Sequence, residues 1–270
     1  MSDVFNPSFD APIYLSILAA VLPAVFWMIY IYRKDKLERE PLSLLGLLIF
    51  GGILSTALAL ILEIASTPLD TMFFSVLKNS PLIAITLSAM LVGVIEELSK
   101  YFFLKKLSWN NHNFNYTFDG LVYAVFVSLG FALAENIMYV FNYGLSVAVS
   151  RALLTIPAHM TFGAFMGADY GLAKIYAAMN EKEITKRYLV KGVVTAILLH
   201  GIYDALAMSS FNATSMIMFF GFVIVMDVLV ISLIKRRSTN DKSIRDIINE
   251  QFYIDSEPNL NGEESENSVK

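Results

Sequence analysis

The chain of 270 residues contains no cysteine, which excludes disulfides, Cys-ligated zinc and thiol catalysis. Charge is scarce as well. Asp, Glu, Lys and Arg make up 16% of the residues, where a soluble domain carries about 25%. Histidine occurs three times and tryptophan twice. The alternating ten-residue segments of a membrane β-barrel are missing. No basic region precedes the first apolar run, where Asp3 and Asp10 stand instead, so no cleavable signal peptide is expected. The net charge of −4 comes largely from acids near the end of the chain, and nothing points to nucleic acid.

What is abundant is apolar. Hydrophobic residues form 56% of the chain, and the mean hydropathy is +0.58. They lie in long runs, and a run that crosses hydrocarbon must close its own backbone hydrogen bonds, so each is read as a helix. The expected fold is therefore all-α: a polytopic membrane helix bundle of about seven transmembrane helices, at 13–32, 42–62, 82–104, 120–142, 149–173, 190–210 and 214–234. Each is close to the roughly 20 residues needed to cross the bilayer core.

The loops support that count. Arg33, Lys34, Lys36 and Arg39 follow the first span, Lys105 and Lys106 the third, and Lys174, Lys182, Lys186 and Arg187 the fifth, while Lys235-Arg236-Arg237 follows the seventh. The loop 63–81 has one lysine, and the link 143–148 has no charge. Basic and non-basic loops alternate, so positive-inside retention puts the N-terminus outside and the C-terminus in the cytoplasm. Residues 1–237 read as one transmembrane domain. Residues 238–270 read as a polar, acidic cytoplasmic tail, disordered beyond an amphipathic piece near 244–253. Gly163, Gly167 and Gly171, four apart, suit close helix packing.

Against this background the buried polar residues stand out, since each charge at the bilayer centre costs about 2.5–3.5 kcal/mol on insertion scales. Glu96, Glu97 and Lys100 lie within five residues of the third span. The two glutamates point about 100° apart, and Lys100 is within ion-pair reach of either. One carboxylate is expected to be held by Lys100 while the other faces a cavity. In the fourth span Glu135 shares a face with Phe131 and Tyr139, and Asn136 sits one step round, able to donate to a carbonyl. His159 follows Pro157 in the fifth span, and His200 precedes Tyr203 and Asp204 in the sixth. Buried histidines beside acids either polarise a water and a carbonyl or bind a metal. No HExxH or HxxEH string is present, and a glutamate can deprotonate water without a metal. Asp169 and Asp227 lack polar neighbours in sequence and read as structural.

Three functions fit such a constellation: an intramembrane hydrolase, a proton-coupled transporter, and a non-catalytic membrane scaffold. The transporter reading is weakened by the absence of repeat symmetry and of a Gly/Pro-broken helix pair. The strings Glu96-Glu97…Lys100, Phe131…Glu135-Asn136…Tyr139, His159…Phe162-Gly163 and His200…Tyr203-Asp204, in this order, resemble the PrsW family of intramembrane proteases. The segment Asp35–Pro41 also looks like the acidic, proline-ended stretch after that family's first span. The resemblance covers about 13–234. It implies an endopeptidase of the bacterial cytoplasmic membrane, distantly akin to the CAAX-prenyl-protease and bacteriocin-processing group. It implies a membrane-bound protein substrate such as an anti-sigma factor, and a catalytic set of Glu96, Glu97, Glu135, His159 and His200. Lys100, Asn136, Tyr139, Tyr203 and Asp204 would support them. The family has been described both as metal-dependent and as glutamic, so the cofactor is either Zn2+, with His159, His200, Glu97 and Glu135 as candidate ligands, or none.

Overall fold

The computed structural model describes residues 13–256. The elements are α1 (Ile13–Lys34), α2 (Leu42–Val76), α3 (Pro81–Ser108), α4 (Asp119–Tyr143), the short α5 (Ser146–Ser150), a π-turn (Arg151–Thr155), α6 (Ile156–Ala178), α7 (Lys182–Met208), α8 (Ala213–Thr239) and α9 (Ile244–Ser256). Among the described residues there is no strand, only an isolated bridge between Tyr116 and Ser243. The fold is all-α and polytopic, and the amphipathic piece foreseen near 244–253 is helical as α9. The far end of the tail lies outside the described residues.

Among the described residues six helices are long and apolar enough to cross a membrane: α1, α2, α3, α4, α7 and α8. The fifth expected span, α6, has 23 residues, about 35 Å of helix, but is less apolar. The reason is its environment. Almost every side chain from Ile156 to Ala173 is buried against protein, so it has no lipid to match. On the outer helices the pattern is reversed, and Phe26, Ile61, Ile64 and Ile217 stand well exposed, as a lipid-facing surface requires.

The helices surround a core in which α4 and α6 are central. α2, α3, α7, α6 and α4 pack each against the next and close back on α2, forming a five-helix ring. α1 lies outside α4, and α8 outside α6 and α7. The α4–α6 seam depends on small residues. A side chain at Gly120 would run into the Gly167 carbonyl and the Gly171 backbone, and Gly163 faces Ser128 and the Ala124 carbonyl. The glycine row foreseen in the fifth span thus serves packing.

The basic loops converge at one end of the bundle, called the basic end below. The Ser238 hydroxyl donates to the Lys34 carbonyl, Ile244 N–H to the Asn115 carbonyl at 2.8 Å, and Asn115 Nδ2 to Glu38 Oε2 at 3.2 Å. Asp241 Oδ1 accepts from Thr117 Oγ1 at 2.8 Å and Phe118 N–H at 2.9 Å, and the Lys174 ammonium donates to the Trp109 carbonyl.

Several helices run past the expected span ends: α7 begins at Lys182 rather than 190, and the largest difference is in α2. The second helix does not stop at residue 62 but runs 35 residues to Val76, so Glu63 is helical rather than in a loop. Glu63 and Pro68 resemble a span end in sequence. The hydroxyls of Ser66 and Thr67 donate to the Glu63 carbonyl, next to the place where Pro68 can offer no N–H, and the helix continues.

Candidate active site

The polar residues of α3, α4, α6 and α7 meet inside the five-helix ring. On α3, one turn separates Glu96 and Glu97 from Lys100, whose ammonium donates to Glu97 Oε1 at 2.7 Å and to Glu96 Oε2 at 3.2 Å. Lys100 therefore holds both carboxylates, not one as the spacing suggested. It also donates to His159 Nδ1 at 3.0 Å and sits 4.0 Å from the centre of the Phe131 ring. Because an ammonium only donates, His159 Nδ1 is the acceptor, and Nε2–H then donates to Glu135 Oε2 at 3.0 Å.

His200 completes the group from α7. Its Nδ1–H donates to Glu97 Oε1 at 2.9 Å, while Nε2 faces Asp204 Oδ2 at 3.3 Å and Glu96 Oε2 at 3.8 Å. Its ring stacks on Phe162 with centroids 4.7 Å apart, and lies 5.4 Å from His159. Phe162 and Phe131 are thus the walls that keep both imidazoles in place. The turn before α6 is built for the site too. Ile156 N–H bonds to the Arg151 carbonyl, five residues back, in the π-turn ahead of Pro157. Such turns are often found at functional sites. Arg151 Nη2 pairs with Glu135 Oε2 at 2.9 Å, and its guanidinium lies 3.9 Å from the centre of the Tyr139 ring.

Burying a charge costs several kcal/mol unless geometry and pairing are good. Here carboxylates, lysine, arginine and imidazoles are joined by ion pairs and hydrogen bonds in one connected network. A cavity of about 410 Å3 opens from it, within the roughly 300–1,000 Å3 typical of ligand pockets. Glu96, Glu135, His159, His200, Tyr203 and Asp204 line it. Glu97 is fully buried and in contact with His200, which does line it. From the level of His159 and His200 the cavity extends away from the basic end, past Tyr139 on α4 and Ala207 on α7. α2 and α4 cross tightly at Gly52, where a Cβ would lie 2.7 Å from Phe131 N, and Thr56 Oγ1 donates to the Phe131 carbonyl at 3.3 Å. Beyond that crossing both helices line the cavity, and Leu60 and Tyr139 are 39% and 40% exposed there. The cavity therefore reaches the protein surface.

Of the ten site residues read from the sequence, nine come into this region and one does not. Asn136 faces the other way: its Nδ2 donates to the Ala20 carbonyl of α1 at 2.7 Å, and its Oδ1 accepts from Arg151 Nε at 2.9 Å. It clamps helices and positions Arg151, which lies just inside the start of the fifth expected span. Glu63 and Arg151 are the cavity residues that sequence reasoning missed. The π-turn's neighbour Pro157 was the available signal for Arg151, and for Glu63 the seven-residue spacing from Thr56, which puts both on one helical face. Asp169 pairs with Lys191 at 3.0 Å near the basic end, and Asp227 lines a separate apolar cavity with Trp27 and Pro157.

The donor set suits a metal of the zinc type. Glu96, Glu97, His159 and His200 can each offer a ligand atom with all four atoms within 4.8 Å of one another, and Glu97 Oε2 is buried without a hydrogen-bond partner. The positive charge that stands among these four groups is the Lys100 ammonium.

Comparison with known proteins gives a consistent result. The sequence profile described as PrsW family intramembrane metalloprotease matches residues 40–232. The chain is 34% identical over 201 residues to Protease PrsW of Clostridioides difficile (strain 630), covering 72% of this chain and 80% of that protein. It is 34% identical over 194 residues to Protease PrsW of Geobacillus kaustophilus (strain HTA426), with the same coverage. To Protease PrsW of Bacillus subtilis (strain 168) it is 30% identical over 192 residues, covering 70% of this chain and 80% of the other. No solved structure matches it.

Proposed function

Since the chain belongs to the PrsW family of intramembrane proteases, we propose a division of labour among its residues in cutting a peptide bond of a membrane-bound protein substrate. Glu96 is the general base. It lines the cavity while Glu97 is enclosed, and this is the observation that carries the assignment. Its carboxylate takes a proton from a water in the cavity, and the hydroxide attacks the scissile carbonyl carbon. His200 acts as an imidazolium, with Nδ1–H held by Glu97 and with Glu96 and Asp204 beside Nε2, and its Nε2–H supports the oxyanion. The tetrahedral species collapses as the C–N bond breaks, and Glu96 returns the proton to the leaving amine. Glu97 and Lys100 are positioning residues: Glu97 fixes the ring of His200, and Lys100 holds Glu96. Glu135, anchored by Arg151, sets the tautomer of His159.

A bound zinc ion is a second arrangement, favoured by the spacing of the four donor groups. His159, His200 and one of the two glutamates would hold it, and it would supply Lewis acidity and a more acidic water. Metal analysis of purified protein, with chelation and reconstitution, separates the two arrangements.

The loop charges support a multi-pass protein of the bacterial cytoplasmic membrane with its N-terminus outside, its acidic tail in the cytoplasm, and the cavity opening toward the outer face. A single-span anti-sigma factor is the substrate class proposed. Comparative membrane proteomics of wild-type and Glu96→Gln strains tests this: a single-span protein should lose its truncated form in the variant while the protease stays abundant. Cleavage retained in Glu96→Gln, in Glu97→Gln and in the double variant would refute the assignment.

A further inference from the structure

Four carboxylates line the cavity, Glu63, Glu96, Glu135 and Asp204, against one guanidinium, Arg151. Three of the four have partners: Glu96 has Lys100, Glu135 has Arg151 and His159, and Asp204 has His200. Among the described residues the Glu63 carboxylate forms no ion pair or hydrogen bond. The bonds recorded at Glu63, from Ser66 and Thr67, go to its backbone carbonyl. An unpaired carboxylate half-buried in a membrane helix is costly, and a cation placed beside it removes that cost.

Position decides what the group can do. Glu63 lies seven residues beyond Thr56, which touches Phe131 at the level of Lys100. At 1.5 Å per residue that is about 10 Å beyond Lys100 along the bundle, but only about 5 Å beyond Glu96, which lies four residues back from Lys100 on antiparallel α3. Among the described residues no hydrogen bond joins the Glu63 carboxylate to a reacting group, so it is not placed to exchange a proton with them directly. The offset is that of one or two residues of extended peptide at ~3.3 Å each.

We infer that Glu63 is a specificity-determining residue, which takes a basic side chain of the substrate one to three positions from the scissile bond. The inference rests on the protease reading of the site. It commits the preferred substrate to a Lys or Arg on the side of the cut that occupies the outer part of the cavity. That residue would form an ion pair with Glu63 in a partly water-excluded cleft. Access is direct, because Leu60, one turn before Glu63, is at the protein surface.

The test uses the full-length protein in detergent and a set of quenched-fluorescence apolar peptides. The peptides are identical except for one Lys, Gln or Glu moved stepwise along both sides of the cleaved bond. Wild type should prefer Lys over Glu about tenfold at one position, a difference of about 1.4 kcal/mol, carried mainly by KM. Glu63→Gln should bring that ratio close to one, Glu63→Lys should invert it, and Glu63→Asp should keep a weakened preference. Undiminished discrimination in Glu63→Gln, or a uniform fall in kcat for every peptide, would overturn the inference.

Binding of the same peptides, labelled, to Glu96→Gln protein is followed by fluorescence anisotropy and separates the two levels of the argument. Lys-selective binding that disappears when Glu63→Gln is added supports the role of Glu63 even if no peptide is cut. Cutting without any Lys preference removes it and leaves the protease reading untouched.

Discussion

Two groups of buried carboxylates lie along the same bundle and meet burial in different ways. Within the five-helix ring, Glu96, Glu97 and Glu135 are surrounded by Lys100, Arg151, His159 and His200 at 2.7–3.8 Å. At the basic end, Asp35 and Glu40 from the α1–α2 loop come together with Asp119 and Tyr123 of α4, all nearly inaccessible. Among the described residues no lysine or arginine pairs with them. Asp119 Oδ2 accepts from the backbone N–H groups of Asn115 and Tyr116 at 3.0 and 2.7 Å, but Asp119 Oδ1 and Glu40 Oε2 have no hydrogen-bond partner. The first group keeps its charges by matching them. The second is held by burial, which pushes the carboxyls of Asp35 and Glu40 up to about 6 and about 7. Matched charge preorganises a site for chemistry, whereas burial without a matching cation favours the protonated form of the acid.

The largest contrast should be in turnover. Glu96→Gln is expected to lower the cleavage rate roughly 10³-fold, as loss of a general base does, whereas Glu40→Gln should leave it within about twofold of wild type at pH 6. Rates on a common quenched peptide in detergent measure both. An equal loss in the two variants would break the distinction between a reactive cluster and a structural one.

Next in size is stability. Lys100→Met strands Glu96 and Glu97 without their shared cation, and breaking a buried pair from one side costs about 3–5 kcal/mol. Denaturant unfolding in detergent reads this, and adding Glu97→Gln to Lys100→Met should recover part of the loss because one stranded charge is removed. No recovery would mean that Lys100 matters through packing on Phe131 rather than through charge. Arg151→Met is milder, since Glu135 keeps His159 at 3.0 Å. We expect about 1–3 kcal/mol, together with lower activity.

How far these clusters were readable from sequence follows from the range of the interactions. Glu96, Glu97 and Lys100 are one turn apart, and Asp204 is one turn from His200, so helical periodicity alone placed those pairs. That α3, α4, α6 and α7 face a common point followed from the ordered motifs, not from geometry. Pairings between helices were not readable. Asn136 turned to Ala20 on α1, and Lys100 reached His159, because helix adjacency is set by small-residue seams, such as Gly52 of α2 against α4 and Gly120 of α4 against α6. Glu63 and Arg151 were hidden by their own charge, which in a hydropathy reading marks the end of a span. The acid cluster at the basic end was visible only as a loop motif, since its burial depends on Asp119 and on the contacts of Asp241, more than a hundred residues further on.

The smallest expected effect sharpens the comparison most directly, because it should appear in one cluster as a pH slope. The carboxyls of Asp35 and Glu40 are raised chiefly by burial; at Asp35 the Glu40 backbone N–H and Arg39 oppose this while Asp241 and Glu38 add to it, and at Glu40 Tyr123 and Asp119 oppose it while Asp35 and Glu38 add to it. Unfolded, they titrate near 3.9 and 4.3. Between those values and about 6 and 7 the folded chain binds more protons than the unfolded one, so stability falls as pH rises through that window. The contribution is complete below about pH 4 and lost above about pH 7. Glu40→Gln keeps a neutral, hydrogen-bonding side chain at every pH and should therefore flatten the decline between pH 5 and 8. Its benefit at the upper end should be on the order of 1 kcal/mol, while the variant is close to wild type at the lower end. Thermal unfolding in detergent across that range is the measurement. A slope unchanged in Glu40→Gln and in Asp35→Asn would place the titrating groups elsewhere, and would remove the contrast between proton-held acids at the basic end and cation-held acids in the ring.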